Sequence, residues 1–315
     1  MTKRLDAVTV TLNPAIDETI FVERLSPGTV HRALGYHRQP GGKGINVAAM
    51  LARAGLDVLA TGLLGREGAE FFERFFEARG IRDGFVRVPG ETRPGIKIVD
   101  RVPGETTDLN LPGRAPQAAE LDALEEVLGA HVAPGLWVVV SGSLPPGVGS
   151  DYLAGLVRTV RSRGGHVAVD TSGAALAAAA EAGVDLVKPN RAELAELVGR
   201  DLAAFGDVLE AAAALHEKIP HVVVSLGHEG ALFHMPELGV MAGAPPVEVV
   251  STVGAGDALL AGYLAALAAG RAPADRARDA TVLAWCAVES IDRALAPPAE
   301  REARAARISV QPLPR

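Results

Sequence analysis

The segment Val-Gly-Ala-Gly-Asp-Ala at 253–258 places two glycines and a carboxylate directly before an apolar, alanine-rich run. Glycines that open a helix leave backbone N–H groups unpaired and uncovered, where the helix dipole favours anions. If this turn only held phosphate, the carboxylate of Asp257 would repel the ligand. Asp257 fits better as a base that takes a proton from an attacking hydroxyl while the amides stabilise a transferring phosphoryl group. The alternative is simple helix capping, since acidic residues are common near helix starts.

Two familiar nucleotide-binding patterns do not match these glycine-rich segments. The dinucleotide pattern GxGxxG needs a third glycine at position 259, which is Leu259. The P-loop pattern needs Ser or Thr after Gly-Lys, but Lys43 is followed by Gly44. Nucleotide binding, if present, therefore uses another arrangement.

Two segments near the N-terminus carry candidate sugar-binding residues. In the run GGKGIN, Gly41 and Gly42 let a ligand approach the backbone, and Lys43 and Asn46 could bond sugar hydroxyls or phosphate. The alternative is a turn before a helix with a solvated lysine. In TLNPAID (11–17), Asp17 could accept bonds from two adjacent hydroxyls, although aspartate after a strand is also ordinary turn chemistry.

Three further features admit either a structural or a functional interpretation. Asn190 followed by Glu193 predicts a capping box, but the pair could also orient waters on a Mg²⁺ that bridges nucleotide phosphates. The loop SLGHEG (225–230) could bind phosphate or only turn a hairpin. Arg93 has Lys97 four residues further on, and a lone arginine in such a polar segment usually faces solvent.

The second half of the chain shows the regular elements that would position these residues. From residue 117, predicted helices at 117–130, 151–163, 174–182 and 191–217 alternate with apolar runs that begin near 136, 166, 184 and 221. Near-continuous apolar strands between helices indicate a parallel sheet covered on both faces. Ligands bind beyond the carboxyl ends of such strands, which here read SGS (141–143), DTS (170–172), KPN (188–190) and SLG (225–227).

The first half is richer in strands and turns. It predicts strands at 7–13, 20–25 and 56–65, helices at 44–55 and 69–80, and a polar β-meander over 84–111. We therefore expect one α/β domain over residues 1–315, a three-layer sandwich with a mostly parallel central sheet. A small β-sheet lid would form mainly from about 14–40 and 84–112.

The composition of the chain indicates a folded protein and limits the kinds of partner it could bind. Hydrophobic residues make up 48% and charged residues 22% of the 315 residues, which suits a folded globular protein. A net charge of −7 argues against a nucleic-acid or anionic-membrane surface. The single Cys286 cannot form an internal disulfide and is expected to be a small buried hydrophobe. No apolar run is long enough for a membrane span and no signal peptide is evident, so we expect a cytoplasmic protein.

Taken together and in order, the motifs resemble those of the ribokinase-like (phosphofructokinase B type) sugar kinase family. They are TLNPAID, GGKGINVA, TRxxxK (92–97), SGSLPPGV, KPNRAEL, SLGHEGAL and VEVVSTVGAGDA. The resemblance covers the chain from Val8 to about Gln311 and is strongest to the bacterial 1-phosphofructokinase branch, although tagatose-6-phosphate kinases and minor 6-phosphofructokinases share two of the motifs. One departure is Arg93-Pro94-Gly95, where the branch often has Asn after Arg-Ile.

The resemblance implies roles for individual residues. Asp257 would be the base, the amides of Gly254, Ala255 and Gly256 the anion hole, and Arg93 a contact to the substrate phosphate or transition state. The implied sugar-binding residues are Asn13, Asp17, Gly41, Gly42, Lys43, Asn46, Arg93 and Ser141. The implied nucleotide-binding residues are Lys188, Asn190, Ser225, Gly227, Gly230, Ser251, Val253 and Gly256, with Asn190 and Glu193 acting on Mg²⁺ through water.

The implied activity is transfer of a phosphoryl group from ATP to D-fructose 1-phosphate. The same chemistry on tagatose 6-phosphate or fructose 6-phosphate, and a non-catalytic sugar-phosphate sensor, remain alternatives. Arg93 bears on the substrate class, because a planar guanidinium can grip a phosphate bidentately. The resemblance also implies a homodimer formed through the lid.

Overall fold

Two β-sheets of different character organise the chain, one of ten strands and one of four. The computed structural model describes residues 5–247, 249–290 and 294–313. The elements of the first half are β1 (Ala7–Thr11), β2 (Ala15–Val22), β3 (Gly35–Gly41), α1 (Lys43–Arg53), β4 (Val58–Glu67), α2 (Glu70–Glu77), β5 (Arg82–Glu91), β6 (Pro94–Asp100), β7 (Glu105–Asn110) and α3 (Ala118–His131).

The second half continues the alternation of strands and helices. Its elements are β8 (Trp137–Ser141), α4 (Ser150–Ser162), β9 (His166–Asp170), α5 (Gly173–Glu181), β10 (Leu186–Val187), α6 (Arg191–Val198), α7 (Phe205–His216), β11 (His221–Ser225), β12 (Ala231–His234), β13 (Gly239–Gly243), α8 (Ala255–Ala268), α9 (Pro273–Val288), α10 (Pro298–Ala305) and β14 (Ser309–Pro312). Among the described residues, no helix is long and apolar enough to cross a membrane.

The large sheet has the order β14-β13-β12-β11-β10-β9-β8-β1-β4-β5. Pairing is parallel from β11 to β5 and antiparallel from β11 to β14, which confirms the predicted mostly parallel sheet. The strands are buried on both faces because helices cover them: β8, for example, has Val138, Val139 and Val140 in the core.

One face of the large sheet holds the helix that carries Asp257. There α8 packs between α1 and α9, and the contact with α9 is close: a Cβ on Gly262 would lie 2.8 Å from Cα of Ala280. Ala-rich α8 buries nearly all of its first three turns. Burial of this helix, with Tyr263 fully enclosed, fixes where its N-terminus lies relative to the sheet. Cys286, on α9, is buried as predicted.

The small sheet has the order β3-β2-β6-β7. The strand predicted at 20–25 begins earlier, at Ala15, and ends at Val22, because β2 is a central strand that pairs along its length with β3 and β6. Alternate residues point to opposite faces: Asp17, Thr19 and Lys97 lie on the inner face, and Ile20 and its neighbours lie on the outer face.

The predicted assignment of residues 84–91 to the small sheet is wrong. These residues belong to β5, which pairs in parallel with β4 at the edge of the large sheet. The reason is packing: the ring of Phe85 stacks on Phe76 of α2 with centroids 5.6 Å apart, and Val88 is buried in the core on the opposite face. Alternating polar residues in this stretch therefore mark an edge strand of the main sheet.

Four short connections join the two sheets. They comprise residues 12–14 between β1 and β2, Gly42 between β3 and α1, residues 92–93 between β5 and β6, and residues 111–117 between β7 and α3. Thr92 anchors its connection, since its buried Oγ1 accepts a 3.0 Å hydrogen bond from the amide of Gly65. The small sheet is thus held at the carboxyl edge of the large sheet by very few residues.

Candidate active site

Asp257 lies in the first turn of α8 and is 4% exposed. Its Oδ2 accepts a 2.7 Å hydrogen bond from Nδ2 of Asn46, a buried residue in the first turn of α1. These two residues are 211 positions apart, and the packing of α1 against α8 brings them together. The candidate base and a predicted sugar-binding residue therefore share one site.

The turn before Asp257 has the backbone geometry of an anion-binding helix start. Gly254 is the N-cap residue and has φ of 82°, a left-handed conformation that glycine adopts without strain. The amide of Ala255 donates a long 3.3 Å bond to the carbonyl of Thr252, so it would have to change partner to contact a phosphoryl group. Gly256 has little room for a side chain, because a Cβ there would lie 3.0 Å from Nζ of Lys188.

Lys188 belongs to a cluster of three charges that the sequence had not identified as a unit. Asp170, at the end of β9, has a fully buried side chain. Its Oδ1 accepts a 3.0 Å bond from Nζ of Lys43, and its Oδ2 lies 3.4 Å from Nζ of Lys188. One buried carboxylate thus joins a predicted sugar-side lysine to a predicted nucleotide-side lysine.

Electrostatics keep Asp170 and Lys43 ionised. Burial alone would raise the pKa of Asp170. The ammonium groups of Lys188 and Lys43 lower it by more than burial raises it, so the pKa lies below its ordinary value. Burial lowers the pKa of Lys43, yet the carboxylates of Asp170 and Asp257 together raise it above its ordinary value. Lys43 is therefore a permanent cation beside the candidate base.

The inner face of the small sheet presents Asp17. This carboxylate is 6% exposed, and its Oδ1 accepts a 2.8 Å bond from Nζ of Lys97. The neighbouring strands leave room for it, because a Cβ on Gly41 would lie 2.4 Å from Cγ of Asp17. Gly95, on the other side, would bring a Cβ to 3.2 Å from Oδ1. The departure at Arg93-Pro94-Gly95 thus places a residue without a side chain beside Asp17.

Arg93 lies in the connection between β5 and β6 and is half-buried. Its guanidinium donates to Oδ1 of Asn13 at 2.9 Å, to the carbonyl of Asn13 at 3.2 Å and to the carbonyl of Leu111 at 2.9 Å. These three acceptors are neutral oxygens. The bonds therefore orient the guanidinium of Arg93 without neutralising its charge. Asn13 and Arg93 line the same cleft, formed by the connections between the sheets and by β4 and β5, together with Arg114.

Ser141 ends β8 directly beside Asp170 in the strand register. Its Oγ is buried and, among the described residues, has no hydrogen-bond partner. A buried hydroxyl at the carboxyl edge of the sheet without a partner is a group that a ligand could satisfy.

The predicted nucleotide-side residues fall into two groups. Asn190 and Ser225 form an isolated parallel bridge next to Lys188, and the Ser225–Gly230 loop turns the antiparallel connection between β11 and β12. Gly230 has φ of 105° and a Cβ there would lie 2.2 Å from the carbonyl oxygen of Ala242, so only glycine fits. Ser251 and Val253 instead line a cavity against the inner face of the small sheet.

Asn190 and Glu193 form the predicted capping box. Oδ1 of Asn190 accepts from the amide of Glu193 at 2.9 Å, and Oε2 of Glu193 accepts from the amide of Asn190 at 2.8 Å. Within the described ranges no group of three or more His, Cys, Asp or Glu residues could hold a metal directly. A single carboxylate beside an amide fits Mg²⁺ held through water and substrate phosphates, which is the arrangement this ion favours.

Asp170 and Lys97 are the site residues to which the sequence analysis assigned no role. Asp170 stood among the strand-end residues, and Lys97 closed the TRxxxK motif, so both carried a positional signal. Their partners Lys43 and Asp17 could not be derived from the sequence, because these two ion pairs join residues 127 and 80 positions apart.

A buried aspartate at a glycine-opened helix start, flanked by lysines at the edge of a doubly covered sheet, defines a phosphotransferase that acts on a hydroxyl group. Residues 10–299 match the family described as pfkB family carbohydrate kinase, and the chain belongs to this family.

Named relatives agree with this class. The chain is 43% identical to a 1-phosphofructokinase of Rhodobacter capsulatus, with 100% of this chain and 99% of that protein covered. It is 46% identical to a 1-phosphofructokinase of Xanthomonas campestris pv. campestris over 96% of this chain and 97% of the relative. Phosphofructokinase-2 from Escherichia coli, solved in complex with substrates and products, superimposes with a TM-score of 0.90 at 31% identity, covering 96% and 99% of the two chains.

Proposed function

We propose that this protein transfers the γ-phosphoryl group of ATP to D-fructose 1-phosphate, giving ADP and D-fructose 1,6-bisphosphate. The observation that carries the proposal is the buried Asp257 at the N-terminus of α8, in contact with Asn46. Asn46 belongs to α1, the helix that begins within GGKG, so the base is directed toward the predicted sugar side. The relatives named 1-phosphofructokinase support the choice of substrate.

In the proposed reaction the sugar hydroxyl oxygen attacks the γ-phosphorus of ATP. The bond from phosphorus to the β–γ bridging oxygen breaks, ADP leaves with that electron pair, and the hydroxyl proton passes to a carboxylate oxygen of Asp257. The side chain of Asn46 orients this carboxylate. The ammonium of Lys188 and the amides at the start of α8, once that of Ala255 leaves the carbonyl of Thr252, would face the charge that develops on the phosphoryl oxygens. Mg²⁺, held through Asn190 and Glu193 by way of water, would neutralise nucleotide phosphate charge.

The substrate's own phosphate needs a separate cation, and Arg93 is the proposed one. Its three bonds to neutral acceptors orient the guanidinium in the cleft that Asn13 and Arg114 also line. Asp17 would accept bonds from sugar hydroxyls on the inner face of the small sheet. Closure of this sheet over the substrate would exclude water, which otherwise competes as acceptor.

A substrate panel tests the function directly. Purified protein with MgATP is assayed by coupled ADP detection against fructose 1-phosphate, fructose 6-phosphate, tagatose 6-phosphate and free fructose. We expect the largest kcat/KM with fructose 1-phosphate. A larger kcat/KM with fructose 6-phosphate or tagatose 6-phosphate would identify that sugar as the substrate and reject fructose 1-phosphate. Failure to form ADP with every sugar, by a folded protein that still binds sugar phosphate, would favour the sensor interpretation and reject the proposed kinase.

We also propose that two copies associate through the outer face of the small sheet, and that the enzyme works in the cytoplasm. In register, Tyr36, Ile20 and Ile98 form one row on this face, and Ile96 and Leu109 belong to the next. Tyr36 and Leu109 are 59% and 49% exposed, so the patch is open. Sedimentation of the wild type and of Ile98→Asp tests this: the substitution should convert a dimer to a monomer.

A further inference from the structure

We propose that Asp170 is a positioning residue that sets Lys43 and Lys188 on the two sides of the phosphoryl-transfer path. The inference rests on the proposed kinase function and deepens it. Asp170 is not placed on the substrate; it acts through the two lysines that it contacts. The observation that carries it is the shared carboxylate, with one oxygen on each ammonium group at 3.0 and 3.4 Å.

The sheet places the three groups by strand register. Asp170 ends β9, and Lys188 follows β10, whose Val187 pairs with Val169 of β9. Lys188 therefore emerges beside Asp170 at the same carboxyl edge. Lys43 comes from the other direction, as the first residue of α1. The carboxylate is thus the point where the sheet edge and the α1 start meet.

The negative charge of the cluster is buried, whereas its positive charges lie at the start of α1 and beside the glycine turn. The side chain of Asp170 is 0% exposed, whereas that of Lys43 is 40% exposed. Lys188 is almost buried, but its Nζ lies 3.0 Å from the position of a Cβ on Gly256, within the glycine turn at the start of α8. Two lysines and one aspartate give the cluster one formal positive charge. The ammonium group of Lys43 belongs to the exposed side chain and that of Lys188 lies beside the glycine turn, whereas the carboxylate of Asp170 is buried.

A purely structural role explains this arrangement poorly. A buried ion pair contributes little net stability, because desolvation offsets much of the attraction, and apolar residues of similar size often replace such pairs without loss. Asp185 offers the contrast. It is 7% exposed, lies at the opposite edge of the sheet before β10, and its carboxylate accepts bonds from the amide of Val167 and from Arg161. It is a buried, ion-paired aspartate far from the candidate site.

The test compares Asp170→Asn with Asp185→Asn. For each variant we measure kcat, KM for fructose 1-phosphate and for ATP, the affinity for a non-hydrolysable ATP analogue by calorimetry, and unfolding by circular dichroism. We expect Asp170→Asn to lower kcat about 10²-fold and to weaken analogue binding about 10-fold, because both ammonium groups lose their anchor. Asp185→Asn should keep kcat and both KM values within twofold while lowering the unfolding midpoint.

Each outcome separates the two proposals. If the wild type shows no activity on the substrate panel, the proposed function fails. If the wild type is active and Asp170→Asn has the same kinetic constants and analogue affinity as Asp185→Asn, the positioning role is overturned. If Asp170→Asn does not fold, Asp170→Glu replaces it: this variant keeps the charge but shifts both lysines, and we expect kcat to fall at least about 10-fold. Wild-type kcat in folded Asp170→Glu overturns the proposal.

Discussion

Replacing Asp257 with asparagine removes the proposed base while keeping the size and shape of the side chain. The amide cannot accept the proton of the sugar hydroxyl, so we expect kcat to fall by about 10²- to 10⁴-fold. That range corresponds to roughly 3–5 kcal/mol added to the activation barrier. The substrate contacts remain, so KM for both substrates should change much less than kcat.

The structure predicts only a small effect of the same change on folding. The 2.7 Å bond from Asn46 to Asp257 becomes a neutral one, which loses about 1 kcal/mol. The loss of an acid in the first turn of α8 removes about 0.3–1 kcal/mol of interaction with the helix dipole. Relief from burying a charge acts in the opposite direction. The net change in unfolding free energy should therefore be about 1 kcal/mol, or a few degrees in Tm.

Coupled ADP detection gives kcat, and thermal unfolding followed by circular dichroism gives Tm. Asp151→Asn is the matched control, since Asp151 lies in the first turn of α4 and is exposed. It loses the same dipole interaction without touching the site, so its kcat should equal that of the wild type. Full activity in folded Asp257→Asn would refute the assignment of the base and, with it, the mechanism.

Further substitutions probe other parts of the reasoning. Arg93→Ala should lower kcat/KM for fructose 1-phosphate about 10²-fold or more; an equal loss with free fructose would contradict a phosphate contact. Gly254→Ala forces a left-handed φ of 82° on an L-residue and should cost about 1–2 kcal/mol in urea unfolding as well as activity. Gly28→Ala, at φ of 77° with open space around it, is the control: it should lose stability but keep full activity. Burial lowers the pKa of His221 from 6.5 to about 4, so the unfolded chain binds the extra proton and stability should fall as pH drops from 6.5 toward 4. The loss from His221 should be about 2 kcal/mol after allowance for partial exposure. His221→Asn, unlike a variant of exposed His131, should reduce the dependence to the part that comes from His234, whose pKa burial also lowers to about 4.

The regular second half of the fold follows from the sequence because its signals are local. Apolar strands between amphipathic or alanine-rich helices predicted the parallel sheet and the edge where Ser141, Lys188 and Asn190 gather. The assignment of 84–91 failed for a non-local reason. Its alternating pattern suits either sheet, and non-local contacts, such as that of Phe85 with Phe76, place it in the large one.

The candidate site shows the same division between local and non-local information. Asp257 and the glycines before it form a contiguous motif, so the helix start could be predicted, and the role of Asp257 as base stays a prediction. The Asp170 cluster could not be predicted, because nothing in the sequence near Asp170 indicates that Lys43 and Lys188 contact its carboxylate. The pairing of Asp17 with Lys97 likewise required the register of β2 on β6.

Three of the four connections between the sheets carry predicted substrate contacts: Asn13, Gly42 and Arg93. If the small sheet closes over the substrate as proposed, the residues about which it moves are the same residues that are proposed to bind the sugar phosphate. A bound substrate would then restrain the opening of the small sheet. Engineering a new sugar preference at these positions would also alter how quickly the enzyme opens to release product, so turnover and selectivity should change together.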